Sequence, residues 1–366
     1  MTDTGKALGH LKATRPAAPR PDTRPAKHTV TLIPGDSIGE EVAEAVVKIV
    51  AASGASVGWD RQAGGQKAQA RHGSSLPPAL IESIRKNKVA LKGRIGTPVG
   101  SGAALASPNV TLRKVLDLYA SVRPARNLPG LKSRYEGIDL IVIRENTEDL
   151  YAGIEHEVVP GVVESLKVVT QAASSRIARF AFDYAVKQGR RSVTCVHKAN
   201  ILKLSDGLFL ECVRAVSGDF PGIEYREMIA DNCLMQLVRN PWQFDVLVMG
   251  NMLGDIVSDL CAGLAGGLGA VPGINIGDDA IVFEAIHGHA PHLEGQDLAN
   301  PLTLLVPAVE MLRHLREREA AERIMTGLGR VLTEARILTP DLGGTSHTSE
   351  MTQAIIDRMP SLTEGR

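Results

Sequence analysis

The chain has 366 residues, with 41 Lys+Arg against 41 Asp+Glu, so its formal net charge is zero. That balance excludes the basic excess of a nucleic-acid-binding protein, and 44% hydrophobic with 22% charged residues describes a globular chain long enough for two domains. Aromatics at 4% argue against a stacking platform, while 36 glycines suit tight loops around ligands.

Residues 1–28 carry Pro16, Pro19, Pro21, Pro25 and six basic residues, which predicts a disordered tail. The tail lacks an apolar signal-peptide core; an organelle presequence is the minor alternative, against which the prolines weigh by spoiling an amphipathic helix. The four cysteines, Cys195, Cys212, Cys233 and Cys261, form no CxxC pair, which points to a reducing compartment. A cytoplasmic location is the expectation.

Thr29–Ile33 then reads as a strand and Gly39–Ala51 as a helix. Asn109–Tyr119 follows as a helix with a core-facing stripe of Leu112, Val115, Leu116 and Tyr119. Ile138–Ile143 is a second strand, Ser174–Gln188 a helix, Ser192–Val196 a strand, Leu204–Val216 a helix and Phe244–Met249 a strand. The strands are short, apolar and β-branched, as strands buried on both faces are. Uncharged Leu260–Gly277 holds six glycines and Pro272, and reads as a buried helix followed by a loop rather than a membrane span. Alternation of strand and helix predicts an α/β fold.

Each apolar run ends in a polar group: Asp36 after Ile33, Arg144-Glu145-Asn146 after Ile143, His197-Lys198 after Val196, and Asn251 with Asp255 after Met249. In α/β folds ligands gather beyond strand ends. No GxGxxG, GxxxxGK[ST] or GxSxG is present. A nucleotide therefore needs a route other than the usual fingerprints.

Asp255 and Asp259 stand at i and i+4, on one face of a helix. A divalent cation such as Mg²⁺ or Mn²⁺ between them answers their repulsion with hard oxygen ligands. A solvated helix face is the alternative reading. Arg113, Arg123 and Arg144 offer guanidinium forks that match carboxylates, or else three separate salt bridges. Arg123 precedes Pro124, so its backbone is expected to be extended. Lys198 at a strand end and Tyr151 after Glu145, Glu148 and Asp149 could exchange protons with a substrate hydroxyl. His287, His289 and His292 lack the spacing of a zinc frame.

Several segments together carry a resemblance: LIPGDSIGEEV (32–42), SPNVTLRKVLDLYASVRP (107–124), IVIRENTEDLYAGIE (141–155) and CVHKANILKLSDGLF (195–209). NMLGDIVSDLCAGLAGGLG (251–269), EAIHGHAPHLEGQDLANP (284–301) and DLGGTSHTSE (341–350) complete it. From about Thr29 to Met359 the chain resembles the isocitrate/isopropylmalate dehydrogenase family, and most of all isocitrate dehydrogenase of the short NAD-linked type. The resemblance implies an α/β fold with large and small domains around a deep cleft and no Rossmann fingerprint. The large domain is expected at 29–118 plus 266–366. The small domain, 119–265, is expected to carry the dimer interface and a clasp-like segment at about 149–170.

The resemblance implies oxidative decarboxylation of isocitrate to 2-oxoglutarate and CO₂. It gives Asp231, Asp255 and Asp259 to Mg²⁺ or Mn²⁺, with Asp231 supplied by the second subunit of a homodimer. Arg113, Arg123 and Arg144, with Ser107 and Asn109, bind substrate. Tyr151 and Lys198 become the acid/base pair, Lys198 coming from the partner chain. Ile38, Thr97, Glu284, His287, Gly288, His292, Asn300 and Asp341 fall on the cofactor side. NAD is the expected cofactor; His292-Leu293 matches neither the NAD nor the NADP pattern and leaves NADP open. Polar Ser107 and Asn109 favour isocitrate over 3-isopropylmalate, with homoisocitrate open and Pro108 a departure from the family pattern. A regulatory subunit of a hetero-oligomer is the remaining alternative. Neither nucleic acid nor membrane is an expected partner.

Overall fold

The computed structural model describes residues 26–96, 107–288 and 290–361. The predicted tail falls almost wholly outside the described residues, as do Thr97 and His289.

Twelve strands form a ten-stranded sheet and a separate hairpin. The strands are β1 (His28–Ile33), β2 (Val57–Arg61), β3 (Val89–Lys92), β4 (Ala120–Arg126), β5 (Asp139–Glu145) and β6 (Glu155–Val159). Then come β7 (Val162–Ser165), β8 (Ser192–His197), β9 (Glu224–Ile229), β10 (Val246–Met249), β11 (Gly273–Ile276) and β12 (Ile281–Glu284). The large sheet runs β2-β1-β3-β12-β11-β4-β5-β10-β8-β9. Its two flanks are parallel, and β12, β11, β4 and β5 pair antiparallel in between.

The strands expected at Thr29–Ile33, Ile138–Ile143, Ser192–Val196 and Phe244–Met249 are β1, β5, β8 and β10. Their alternation with helices makes the α/β class a finding. β5 runs two residues beyond its apolar stretch, so Arg144 and Glu145 lie within the sheet. Uncharged Leu260–Gly277 is not only helix and loop: after α8 (Asn251–Ala265) the chain re-enters the sheet as β11. β4 carries Pro124 in the sheet interior. β11 pairs β4 only over Ala120–Val122, so the N–H that proline lacks meets no missing partner on that side.

Eleven helices complete the described fold. α1 (Gly39–Ala52), α9 (Leu302–His314), α10 (Arg318–Glu334) and α11 (Thr348–Asp357) pack together beside β1, β3 and β12. α2 (Gln66–His72) and α3 (Pro78–Asn87) precede β3, and α4 (Pro108–Val115) is shorter than the predicted Asn109–Tyr119. α5 (Gln171–Lys187) and α6 (Ser205–Ser217) pack on each other, while α7 (Ala230–Arg239) and α8 face a second apolar cluster around Leu140, Val142 and Leu247. Burying such aliphatic side chains contributes about 1.5–3 kcal/mol each.

β6 and β7 form an antiparallel hairpin, 155–165, that leaves every strand residue exposed. Val158, Val162 and Val163 are about half exposed or more. Among the described residues, every exposed large apolar side chain lies between Val115 and Ile256. No helix among them is long and apolar enough to cross a membrane.

Candidate active site

The site is built where β4, β5 and α8 meet. β4 and β5 pair with Ser121 opposite Arg144 and Arg123 opposite Val142, so Arg123 and Arg144 project from one face. α8 lies against that face because Gly254 has no side chain: a Cβ there would sit 2.5 Å from Arg144 Cγ. The helix thereby carries Asp255 and Asp259 up to the guanidinium. Arg144 donates from Nε to Asn251 Oδ1 at 2.8 Å and from Nη1 to Asp255 Oδ1. Tyr151 Oη donates to Asp255 Oδ2 at 2.5 Å, and the Arg144 guanidinium lies 5.0 Å from the Tyr151 ring centroid.

A second cluster adjoins it. Glu284, at the end of β12, is opposite Lys92 at the end of β3. Lys92 Nζ is 2.9 Å from Glu284 Oε2, while Arg113 and Arg123 approach Oε1 at 3.5 and 3.4 Å. Gly273 makes room for this, since a Cβ there would meet Glu284 Cγ at 2.7 Å and Arg123 Nη1 at 2.9 Å. Lys92 also reaches Asn109 Oδ1 at 3.2 Å, and Asn109 donates to the Ile95 carbonyl at 3.0 Å. Ser107 is the N-cap position of α4, with Pro108 following.

The charges are out of balance. Arg123 Nε and Nη1 and Arg144 Nη2 are buried donors without a partner. Such donors cost about 1–3 kcal/mol each or more when left so, and an anionic ligand would satisfy them. Burial lowers the Arg123 pKa to about 10, with Glu284 opposing the shift. Burial and neighbouring Arg113 also lower that of Arg144. For Glu284 burial favours the neutral acid, but Lys92, Arg113, Arg123 and an Asn275 hydrogen bond outweigh it and hold its carboxyl well below the usual range.

The two α8 aspartates behave differently. Burial opposes ionisation of Asp255, yet Arg144 and Tyr151 prevail and lower its pKa. Burial and the charge of Asp255 raise that of Asp259. Tyr151 is pushed up by burial and by its bond to Asp255. Two crowded carboxylates, one of them reluctant to ionise, form an all-oxygen donor pair that suits a hard divalent cation.

Asp231 is not part of that pair. It lies in the first turn of α7 with an exposed side chain that accepts from Lys198 Nζ. Among the described residues, no group of three or more His, Cys, Asp or Glu in one chain could hold a metal. The chain thus forms two couples, Tyr151 with Asp255 and Lys198 with Asp231.

On the cofactor side, Ile38 is buried at the N-cap position of α1. Asn300 Nδ2 donates to Asp341 Oδ2 at 2.8 Å. His287 Nδ1 bonds the Gly288 carbonyl at 2.8 Å, and His292 is exposed in the turn Pro291–Leu293. Glu284, also placed on this side, is paired with Lys92, Arg113 and Arg123. Sequence reasoning overlooked Lys92, which ends the apolar run VALK much as Lys198 directly follows β8; that similar placement was the signal. It noted Asn251 at a strand end without giving it the role of orienting Arg144, and it overlooked Glu41, which accepts from the Asp297 and Ala299 amides at 3.1 and 2.9 Å.

The family model described as isocitrate/isopropylmalate dehydrogenase matches residues 29–355. The chain is 52% identical over 332 residues to a mitochondrial NAD isocitrate dehydrogenase catalytic subunit of Arabidopsis thaliana, covering 90% of this chain and 88% of the relative. It is 50% identical to a mitochondrial regulatory subunit of the same enzyme from that plant, covering 93% and 92%. Among solved structures, isocitrate dehydrogenase from Methylococcus capsulatus superposes with a TM-score of 0.86 at 47% identity, covering 90% of this chain and 99% of that one. The cytoplasmic expectation is overturned by relatives that are named as mitochondrial. Unpaired cysteines point to a reducing compartment without saying which one.

Proposed function

The chain belongs to the isocitrate/isopropylmalate dehydrogenase family, and on that footing we propose that it converts isocitrate to 2-oxoglutarate and CO₂ with reduction of NAD. The observation that carries this reading is the set of buried, unpartnered donors on Arg123 and Arg144 beside two crowded aspartates. A polycarboxylate with an adjacent hydroxyl is the ligand that answers both features. Asn109 and Lys92 keep the approach to α4 polar, which supports a substrate with a further carboxylate over one with an alkyl group.

The residues then divide the work. Arg113, Arg123 and Arg144, with Ser107 and Asn109, bind and orient the carboxylates, so that reaction starts from a fixed geometry. Lys198 removes the hydroxyl proton as hydride leaves the carbinol carbon for NAD. The resulting β-keto acid releases CO₂, and its bonding pair becomes an enolate. Tyr151 gives that carbon a proton and closes the sequence. Asp255 and Asp259, with Asp231, would hold Mg²⁺ or Mn²⁺, whose chemistry is to acidify the hydroxyl and offset enolate charge. Glu284, paired with Lys92, Arg113 and Arg123, would tune the arginines on the cofactor side. Ile38, Thr97, His287, Gly288, His292, Asn300 and Asp341 would hold the rest of the cofactor.

The active unit we propose is a homodimer with shared sites. Exposed large apolar side chains that, among the described residues, all lie within 115–256, and a Lys198–Asp231 couple left at the surface, support an interface there. Presence of Tyr151, Lys198 and all three aspartates supports an active chain over a regulatory one. The test is absorbance at 340 nm with isocitrate, Mg²⁺ and NAD⁺, using this chain alone. A rise is expected; no rise with either NAD⁺ or NADP⁺ would overturn the proposal.

A further inference from the structure

Lys167 bridges two carboxylates that the steps above leave unused. Its ammonium is 2.5 Å from Asp206 Oδ1 and 3.7 Å from Asp149 Oδ1, and both acids are buried. Each acid also holds a backbone amide of a segment placed in the reaction. Asp206, in the first turn of α6, accepts from the Lys198 N–H at 2.7 Å. Asp149 Oδ1 accepts from the Leu150 N–H at 2.8 Å and caps the single turn Leu150–Ala152 that bears Tyr151. Asp149 Oδ2 accepts from the Met252 N–H at 3.0 Å, at the start of the helix bearing Asp255 and Asp259.

The bridge is under constraint. Asp149 has a φ of 74°, a left-handed backbone that a non-glycine residue holds only when its surroundings fix it. That fixing comes from the chain beside Lys167, because the Asp149 N–H donates to the Val168 carbonyl at 2.8 Å. Removing the cation would leave two buried carboxylates facing each other, and each would turn toward solvent or take up a proton. Either response loosens the amides they hold.

We propose that Lys167 is a positioning residue that locks the Tyr151 turn, the start of α8 and the Lys198 segment into one rigid unit. The proposal rests on the roles given above to Tyr151 and Lys198. Where Lys198 serves the neighbouring site of a dimer, the same lock ties the geometry of one site to that of the other.

The experiment compares Lys167→Met, Lys167→Arg, Tyr151→Phe and Lys198→Met as full-length proteins. Lys167→Met should lower kcat per folded site at least about tenfold, because small misplacements are costly to catalysis, while the isocitrate KM stays within about twofold. Lys167→Arg should recover most of the rate. Hydrogen exchange in Lys167→Met should show the Lys198, Leu150 and Met252 amides losing protection together. An unchanged kcat per folded site, or a loss of rate without that joint loss of protection, overturns the lock. Near-normal turnover by Tyr151→Phe or Lys198→Met would instead overturn the roles on which it rests, and the exchange data would still decide the lock.

Discussion

Replacing Glu284 with glutamine removes the carboxylate that Lys92, Arg113 and Arg123 share. At 2.9 Å the attraction between Lys92 and Glu284 alone is about 6 kcal/mol at an effective dielectric of about 20, before desolvation. Desolvation offsets much of this, and removing one partner of such a buried pair costs about 3–5 kcal/mol because the other charges stay buried. With a urea m-value of about 3 kcal/mol/M, the unfolding midpoint should fall by about 1–1.7 M. The assay is urea denaturation at one fixed protein concentration, since an oligomer's stability depends on it. The carboxyl of Glu284 is held below the glutamate range in the fold, so the unfolded chain binds its proton more readily. Its contribution is therefore complete above about pH 5 and is lost as pH falls through the folded value. The gap between wild type and Glu284→Gln should close on acidification, and Lys92→Met should restore part of the variant's stability. A loss below about 1 kcal/mol at pH 7 would refute the view that these cations depend on Glu284.

Gly254→Ala gains helix propensity worth about 1 kcal/mol but sets a methyl against the buried Arg144 stem. A net loss of about 1–3 kcal/mol and a raised isocitrate KM are expected; a stabilised variant with normal KM would count against the packing described. Dialysis against EDTA should abolish turnover, with Mg²⁺ or Mn²⁺ restoring it. Asp259→Asn should raise the half-saturating metal concentration by about tenfold or more, and activity indifferent to EDTA would remove the metal from the scheme. NAD⁺ should give the larger kcat/KM, and His292→Asp should widen its lead by repelling the extra phosphate of NADP⁺. A preference for NADP⁺ in wild type would reverse the cofactor assignment.

β1, β5, β8 and β10 were legible because each contains a short, largely apolar and β-branched run that is buried on both faces. The strands that join the two flanks of the sheet were not. β4 contains Arg123 and Pro124, which mask its pattern, and β11 and β12 are four residues each. β9 is a polar edge strand with the sequence EYREMI, which alternates no apolar face. The chemistry of the candidate site was more legible than its layout. An i, i+4 aspartate pair and forked cations announce themselves by residue type, and α8 does present Asp255 and Asp259 together.

What the sequence determined by itself is local: which apolar runs form buried strands, roughly where four of the helices lie, and which donor groups stand at strand ends. What only the tertiary structure decided is which charge meets which. Arg123 and Glu284 are 161 positions apart and become neighbours through the order of β4, β11 and β12. Lys92 joins them because β3 is in register with β12. Zero net charge says nothing about such neutralisation. A Coulomb interaction depends on separation and burial, and both are set by strand order, register and the glycines that let elements approach.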